Sequence, residues 1–238
     1  MMGPLKMAEK TYIVASCKPW HKPAFELLKS EVNANWLWVT THHELLAAVN
    51  SCSPRYIFFL HWNWHAPKDI WSRSECVCFH MTDLPYGRGG SPLQNLIVAG
   101  YKETQLTALR MVEEMDAGPV YAKRPLLLEG RAEDIYRRAG DLSFDIILWI
   151  IANEPEPVCQ VGEVVAFKRR KPEQSVLPLD GNLEILHDHI RMLDAETYPL
   201  AFIEHGGFRL EFSKAELQDD EIIAKVTIRK INPSDTDK

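Results

Sequence analysis

Short, uninterrupted apolar runs alternate along the first half of the chain with longer stretches whose apolar residues recur at helical spacing. The apolar runs cover residues 11–16, 36–39, 55–60 and 76–80. Strands that read as continuous apolar runs are typical of parallel sheets covered on both faces. The pattern therefore predicts an α/β fold with a mainly parallel central sheet.

Helices are predicted between these runs. Residues 19–30 carry Phe25, Leu27 and Leu28 as a buried face, and Thr41 with Glu44 forms a capping box that opens the next helix. Residues 132–152 form the longest predicted helix. Its apolar residues recur at intervals of about four and three, which indicates a face packed on the core.

The last third of the chain has a different pattern. Residues 164–167 are predicted as a strand, 183–193 as a helix, and 198–203, 208–212 and 222–230 as strands, with a hairpin at Gly206 and Gly207. We therefore predict one domain over residues 11–178 and a small α+β subdomain over 179–238. Residues 1–6 are left out of this interpretation, and the polar residues 232–238 are predicted to be disordered.

Composition restricts the functional classes. The 238 residues are 46% hydrophobic and include no apolar run long enough for a membrane span, so no membrane partner is expected. The net charge of −6 argues against nucleic acid as a partner, and the basic run at residues 168–171 is interpreted as a solvated strand end. Five cysteines in no regular framework, with no signal peptide, favour a cytoplasmic location.

The chemistry concentrates in residues 76–97. His80 stands where an apolar strand ends, a loop rich in Pro and Gly follows, and a helix restarts after Pro92. Ligands of open α/β sheets bind beyond the carboxyl ends of the strands. Asp116 follows His80 by 36 residues, just before the turn-forming Ala117, Gly118 and Pro119, which is room for a helix and a strand between the two.

Several of these positions occur in one register. They are His80, Leu84-Pro85, Arg88-Gly89, Pro92, Gln94, Thr107 and Asp116 with its Ala-Gly-Pro. This set resembles the formyltransferase family that uses 10-formyltetrahydrofolate. The resemblance implies a Rossmann-like formyltransferase fold, with residues 11–178 as the catalytic domain, and an N-formyltransferase that needs no metal.

One position departs from the family pattern. The family has a catalytic Asn two residues before the His, and this chain has Cys78. An amide is a strong donor to a developing oxyanion and a thiol is a weak one. Either a backbone N–H, a water or Asn63 supplies the missing hydrogen bond, which we favour, or the chain has lost turnover.

The resemblance also assigns residues to roles. His80 would stabilise the oxyanion and move a proton, with Asp116 orienting the imidazole and Cys78 at the position of the Asn. Residues expected to border the folate are Trp62, Asn63, Trp64, Arg88, Gly89, Met115 and Asp116. The tryptophans could equally be packing residues, and a metal held by His61 and His65 is disfavoured because no carboxylate accompanies them.

For the acceptor, we expect the amine of a nucleotide-linked amino sugar. Ile190-Arg191, Tyr198-Pro199 and Ala201-Phe202 resemble formyltransferases that act on such sugars, most of all UDP-linked 4-amino-4,6-dideoxy sugars of pseudaminic-acid-like surface-glycan pathways. Expected substrate-binding residues are Thr82, Pro85, Gly90, Ser91, Gln94, Arg169, Arg170, Arg191 and Tyr198. A homodimer through the C-terminal strands is a further expectation.

Three alternatives stay open at this point. A methionyl-tRNA formyltransferase would be expected to carry a larger, basic C-terminal domain. A glycinamide ribonucleotide formyltransferase would be expected to end earlier in the chain. A folate- or sugar-nucleotide-binding homologue that has lost turnover would keep His80 and Asp116 as a structural pair.

Overall fold

A computed structural model describes residues 10–196 and 198–231, so residues 1–6 and 232–238, discussed above, lie outside the described residues. The strands are β1 (Thr11–Ser16), β2 (Asn35–Val39), β3 (Tyr56–Leu60), β4 (Cys76–His80), β5 (Tyr86–Gly89), β6 (Glu103–Arg110), β7 (Val120–Leu127), β8 (Val165–Phe167), β9 (Ala201–His205), β10 (Phe208–Leu217) and β11 (Ile222–Lys230). The α-helices are α1 (Lys22–Glu31), α2 (His42–Ser51), α3 (Lys68–Trp71), α4 (Pro92–Val98), α5 (Ala132–Asn153) and α6 (Leu183–Arg191).

The central sheet has six strands in the order β2-β1-β3-β4-β6-β7. β1 pairs in parallel with β2 and β3, β3 pairs in parallel with β4, and β4 pairs antiparallel with β6. Every residue of β3 is buried, as the uninterrupted apolar run predicts. The predicted α/β fold with a mainly parallel sheet is confirmed, and His80 is the last residue of β4, at its carboxyl end.

The chain divides into two compact units. The first comprises residues 10–88, 105–125 and 137–165, and the second 89–104, 126–136 and 166–231. Within the second, β9, β10 and β11 form an antiparallel sheet with β10 in the middle, and α6 packs on β10. The α+β character predicted for the C-terminal part is confirmed, whereas a domain boundary at residue 178 stays a prediction.

Local predictions differ in their outcome. The capping box of α2 is present, because Thr41 Oγ1 accepts from the Glu44 backbone N–H at 3.2 Å and the Glu44 carboxylate accepts from the Thr41 N–H. Leu27 is 65% exposed, so its predicted burial is wrong, and only Phe25 and Leu28 of that helix face the core. The strand predicted from residue 198 begins instead at Ala201, after the chain has passed Pro199.

The loop after His80 also contains a strand that the sequence pattern does not reveal. β5 pairs with β8, and Gly89 adopts a φ of +103° in this ladder. A Cβ at Gly89 would lie 2.5 Å from the carbonyl oxygen of Phe167, so only glycine allows the two backbones to approach this closely. Among the described residues, no helix combines the length and apolarity that a bilayer span requires.

A histidine pair is packed inside the first unit. His21 Nε2 and His61 Nδ1 lie 2.9 Å apart, with the two rings stacked at 5.0 Å. Burial lowers the pKa of His21 to about 4, helped by the positive charges of Lys18 and Arg137. Burial likewise lowers the pKa of His61 to about 3, helped by His21 and Lys18. Both rings are therefore neutral at pH 7.

This pair predicts an acid-sensitive fold. Below about pH 6.5 the unfolded chain protonates both histidines while the folded chain does not until about pH 4, so stability is lost as the pH falls through that window. Thermal unfolding of the wild type should show a loss of a few kcal/mol between pH 7 and pH 4.5. His61→Asn, a residue that tolerates the φ of +48° there, should flatten this dependence. Equal slopes for both proteins would contradict the prediction.

Candidate active site

The imidazole of His80 is held by a backbone carbonyl. His80 pairs with Thr107 of β6 in the sheet and is 8% exposed, and its Nε2 lies 2.7 Å from the carbonyl oxygen of Gly87. A carbonyl can only accept, so Nε2 carries the hydrogen and donates it. This bond directs the other ring nitrogen, Nδ1, away from Gly87.

Nδ1 faces a carboxylate. His80 Nδ1 lies 3.5 Å from Asp116 Oδ2, and both side chains are largely buried. The 36-residue separation thus brings the two side chains together, as predicted, while their catalytic roles stay a prediction. Asp116 takes a left-handed backbone conformation, with a φ of +55°, which among residues other than glycine is adopted mainly by asparagine and aspartate.

The turn that carries Asp116 leaves no space at Gly118. A Cβ there would lie 1.8 Å from the carbonyl oxygen of Arg110. The Arg110 N–H donates to the carbonyl oxygen of Pro119 at 2.9 Å, so the end of β6 and the start of β7 lie against each other at this point. The small residue in the Asp-Ala-Gly motif is therefore required by packing between backbones.

Gln160 and Arg88 complete the surroundings of this turn. Gln160 Nε2 donates to the carbonyl oxygens of Asp116, at 2.7 Å, and Gly118, at 2.9 Å. Its Oε1 accepts from Arg88 Nε at 3.1 Å and Nη2 at 2.9 Å. Sequence reasoning missed Gln160, because it lies 44 residues beyond Asp116 in a segment without a local motif.

Cys78 lies on the same strand as His80 and two residues before it, hence on the same face of β4. Burial raises the pKa of its thiol well above the usual value, and the negative charge of Asp116 adds to this. The sulfur is therefore protonated at neutral pH. It can act as a weak S–H donor but not as a thiolate nucleophile.

Some of the residues expected to border a folate are packed or bound within the protein, and others are exposed. Trp62 packs on the core beside Phe59, with ring centroids 5.9 Å apart, and its Nε1 is buried with no hydrogen-bond partner in the described residues. Asn63, Trp64 and Met115 are exposed. The Arg88 side chain is 15% exposed, and its Nη1 donates to Glu114 at 3.0 Å. Because Nε and Nη2 donate to Gln160, all three guanidinium nitrogens are bound within the protein.

Two residues expected to bind the acceptor lie in the loop after His80. Thr82 is fully buried, and its carbonyl oxygen accepts from Thr107 Oγ1 at 2.7 Å. Pro85 is also buried, and the peptide bond that precedes it is cis. Both support the loop from the inside.

The other expected acceptor-binding residues belong to the second unit, and Arg191 and Gln94 are buried there. Arg191 is 5% exposed and donates to Asp188 Oδ1 at 2.6 Å and to the carbonyl oxygens of Leu128 and Gly130. Nε and Nη1 of its guanidinium are therefore already bound within the protein, and its expected role in binding the acceptor stays a prediction. Gln94 donates to Tyr136 and to the Met192 carbonyl, and Tyr198 stacks on Tyr136.

The remaining residues of that set lie around β8. The Ser91 hydroxyl accepts from the Arg170 backbone N–H at 3.0 Å, and Arg170 Nη2 donates to the Gln174 carbonyl at 2.8 Å. A Cβ at Gly90 would lie 2.5 Å from Arg169 Cβ, so only a glycine at position 90 lets the Arg169 segment pack this closely against it. The side chain of Arg169 is exposed.

No cluster of three or more His, Cys, Asp or Glu side chains that could hold a metal ion occurs within residues 10–196 and 198–231. His61 is directed to His21. All five cysteines are free thiols.

Comparison with known proteins identifies the family. A solved structure named methionyl-tRNA formyltransferase from Clostridium thermocellum is 44% identical, with a TM-score of 0.90, over 93% of this chain and 99% of that chain. The chain belongs to the formyltransferase family. Residues 172–229 match the family model described as the methionyl-tRNA formyltransferase C-terminal domain.

A curated relative agrees with this. Methionyl-tRNA formyltransferase of Streptococcus pyogenes is 29% identical over 68% of this chain and 54% of its own length. The chain thus spans about half the length of the curated relatives it matches. A sugar N-formyltransferase from Shewanella has a TM-score of 0.67 at 15% identity, which shows a shared fold alone.

These findings overturn two expectations. The nucleotide-linked amino sugar is the wrong acceptor, because the relatives with substantial identity are named for methionyl-tRNA and the C-terminal residues taken as a sugar-enzyme feature match a methionyl-tRNA formyltransferase model. The expectation of no nucleic-acid partner is wrong for the same reason. It rested on net charge, which sums over the whole chain and says little about one local surface.

The geometry at Gly118 makes a direct prediction. Gly118→Ala forces its Cβ against the Arg110 carbonyl and must displace the turn that carries Asp116. A shift of about 1 Å at a reacting group can cost about 10²-fold, so we expect formyl transfer to fall by about that factor. The control is Gly100→Ala, which strains its own backbone at a φ of +82° but whose Cβ meets nothing within 4 Å, so it measures the cost of Gly→Ala without a clash. Steady-state kinetics on both variants would show the difference, and wild-type activity in Gly118→Ala would refute the packing argument.

Proposed function

We propose that this protein transfers a formyl group from 10-formyltetrahydrofolate to the amino group of methionyl-tRNA. The observation that carries the proposal is the 44% identity, across 93% of the chain, to a methionyl-tRNA formyltransferase. The match of residues 172–229 to the C-terminal domain of that enzyme class supports the same acceptor.

The side chains at the site fit this chemistry. Formyl transfer to an amine needs a group that neutralises negative charge on the formyl oxygen and groups that move protons. 10-Formyltetrahydrofolate would supply the formyl carbon. His80 supplies Nδ1 as its exchangeable position, because Nε2–H is committed to the Gly87 carbonyl.

The Asp116 carboxylate can compensate a positive charge on the His80 imidazole. When Nδ1 carries a proton, the resulting positive charge faces the Asp116 carboxylate at 3.5 Å in a largely buried setting. His80 can then take a proton from the attacking amine and return it to the leaving nitrogen, with Asp116 as the fixed counter-charge. General acid–base catalysis of this kind contributes about 10²–10⁴-fold.

Cys78 restricts the mechanism to direct transfer. Its thiol stays protonated because burial and Asp116 both raise its pKa, so no formyl thioester forms there. The weak S–H donor adds little to the stabilisation of negative charge. We propose that the imidazole of His80 carries most of it.

A basic segment supports a nucleic-acid acceptor despite the net charge of −6. Lys168, Arg169 and Lys171 are exposed around the end of β8, and no ion pair to a carboxylate is found for them among the described residues. Unpaired cations of this kind are available to phosphates, and binding to nucleic acid depends on local clusters of Lys and Arg.

The acceptor can be tested directly. We expect the purified protein to release tetrahydrofolate from 10-formyltetrahydrofolate with methionyl-tRNA, and not with a panel of UDP- and dTDP-linked amino sugars. His80→Asn is the background control and should lose at least about 10²-fold. Transfer only to amino sugars would overturn the proposal. Ligand binding without transfer to any amine would favour a homologue that has lost turnover.

The basic segment gives a second test. Lys168→Ala with Arg169→Ala should raise the KM for methionyl-tRNA and make log(kcat/KM) less steep against log[salt] by about 1–2, because two phosphate contacts are lost. The charge-matched control is Lys29→Ala with Arg73→Ala, on the first unit. Identical salt slopes in the wild type and both variants would exclude Lys168 and Arg169 from acceptor binding.

A further inference from the structure

The contacts around the candidate site close into a ring. His80 Nε2 donates to Gly87, the next residue Arg88 donates to Gln160, Gln160 donates to Asp116, and Asp116 faces His80 Nδ1. The Gly87 segment thus contacts Nε2 of the imidazole, and the Asp116 turn faces Nδ1. The hydrogen bonds of Arg88 and Gln160 connect these two segments. Gln160 is the member of the ring that neither carries charge nor touches the imidazole.

The amide of Gln160 uses its whole hydrogen-bonding capacity in this ring. A glutamine side chain offers two N–H donors and two lone pairs on its oxygen. The two donors go to the carbonyl oxygens of Asp116 and Gly118, and the oxygen accepts twice from Arg88. Such a bridge fixes the distance between the Arg88 segment and the Asp116 turn, because any displacement breaks two bonds at once.

The Asp116 turn needs this kind of support. Asp116 holds a φ of +55°, a conformation that persists in a non-glycine residue when surrounding contacts over-determine it. The neighbouring backbone pairing between Val120 and Val158 secures the start of β7. The bond from Gln160 reaches Asp116 itself.

We propose that Gln160 is a positioning residue, which sets the separation between the Asp116 carboxylate and the His80 imidazole by holding the Asp116 turn to Arg88. The inference rests on the proposed function for its kinetic consequence. The structural consequence of the inference, a fixed His80–Asp116 geometry, does not depend on the proposed function.

Two substitutions separate this role from general support. Gln160→Leu keeps similar volume and removes all four bonds. Gln160→Glu keeps an acceptor for Arg88 but places a carboxylate oxygen against the two carbonyls, so it breaks the link at the Asp116 side alone. We expect both to lower kcat by about 10- to 100-fold, with the KM values changed less than about threefold. Asn153→Leu is the control, since it removes an amide that donates to the Trp149 carbonyl at the end of α5.

A second measurement does not depend on turnover. The ¹⁵N resonances of the His80 ring, assigned by comparison with His80→Asn, report its tautomer and its two partners. We expect them to shift and broaden in Gln160→Leu and Gln160→Glu and to stay unchanged in Asn153→Leu. Both Gln160 variants should retain cooperative thermal unfolding, which separates a moved imidazole from a lost fold.

The outcomes are distinguishable. Wild-type kcat together with unchanged His80 resonances in the Gln160 variants would overturn the inference. If the wild type fails to formylate methionyl-tRNA, the proposed function is wrong, and the His80 resonances alone decide whether Gln160 positions the pair. If Gln160→Leu does not fold, Gln160→Glu is the variant that tests the proposal. Unchanged ¹⁵N resonances of the His80 ring in Gln160→Glu would refute it.

Discussion

The hydrogen bond from His80 Nε2 to the Gly87 carbonyl is the constraint on which the site depends. It selects one tautomer, because only a protonated Nε2 can bond to a carbonyl oxygen. The selected tautomer turns Nδ1 toward Asp116, so one backbone acceptor decides which nitrogen faces the carboxylate and would exchange a proton in the proposed reaction. The loop after β4 therefore contributes to the site through its backbone, and Thr82 Oγ1 donates to the same carbonyl at 3.4 Å.

Close contacts between backbone segments also determine where glycine is required in this structure. Gly118 lies against Arg110, and Gly89 lies against Phe167, each too close for a Cβ. Asp116 takes a left-handed conformation that its surroundings must hold. Gln160 does this by bonding to the carbonyl oxygens of Asp116 and Gly118, while the Asp116 carboxylate faces the imidazole.

Much of the fold could be predicted from sequence, because buried strands and capped helices have local signatures. The apolar runs located β1, β3 and β4, and Thr41 with Glu44 located the start of α2. The His80–Asp116 pair was predictable from a motif with fixed spacing. β5 was not, since four residues rich in glycine have no apolar alternation and form a strand only through their partner β8. Gln160 was missed, and the internal bonds of Arg191 were not foreseen, because a polar side chain that bonds to backbone carbonyls looks, in sequence, like a surface residue. The acceptor was misjudged because net charge has no spatial information.

The buried, protonated sulfur of Cys78 bears on how the protein withstands oxidants. Peroxides and electrophiles attack the thiolate, and a thiol whose ionisation is suppressed by burial and by a neighbouring carboxylate reacts slowly with either. The exposed Cys159 is open to such reagents, whereas Cys78 is only partly exposed and its sulfur stays protonated. The cysteine beside the proposed catalytic pair is therefore a poor redox sensor.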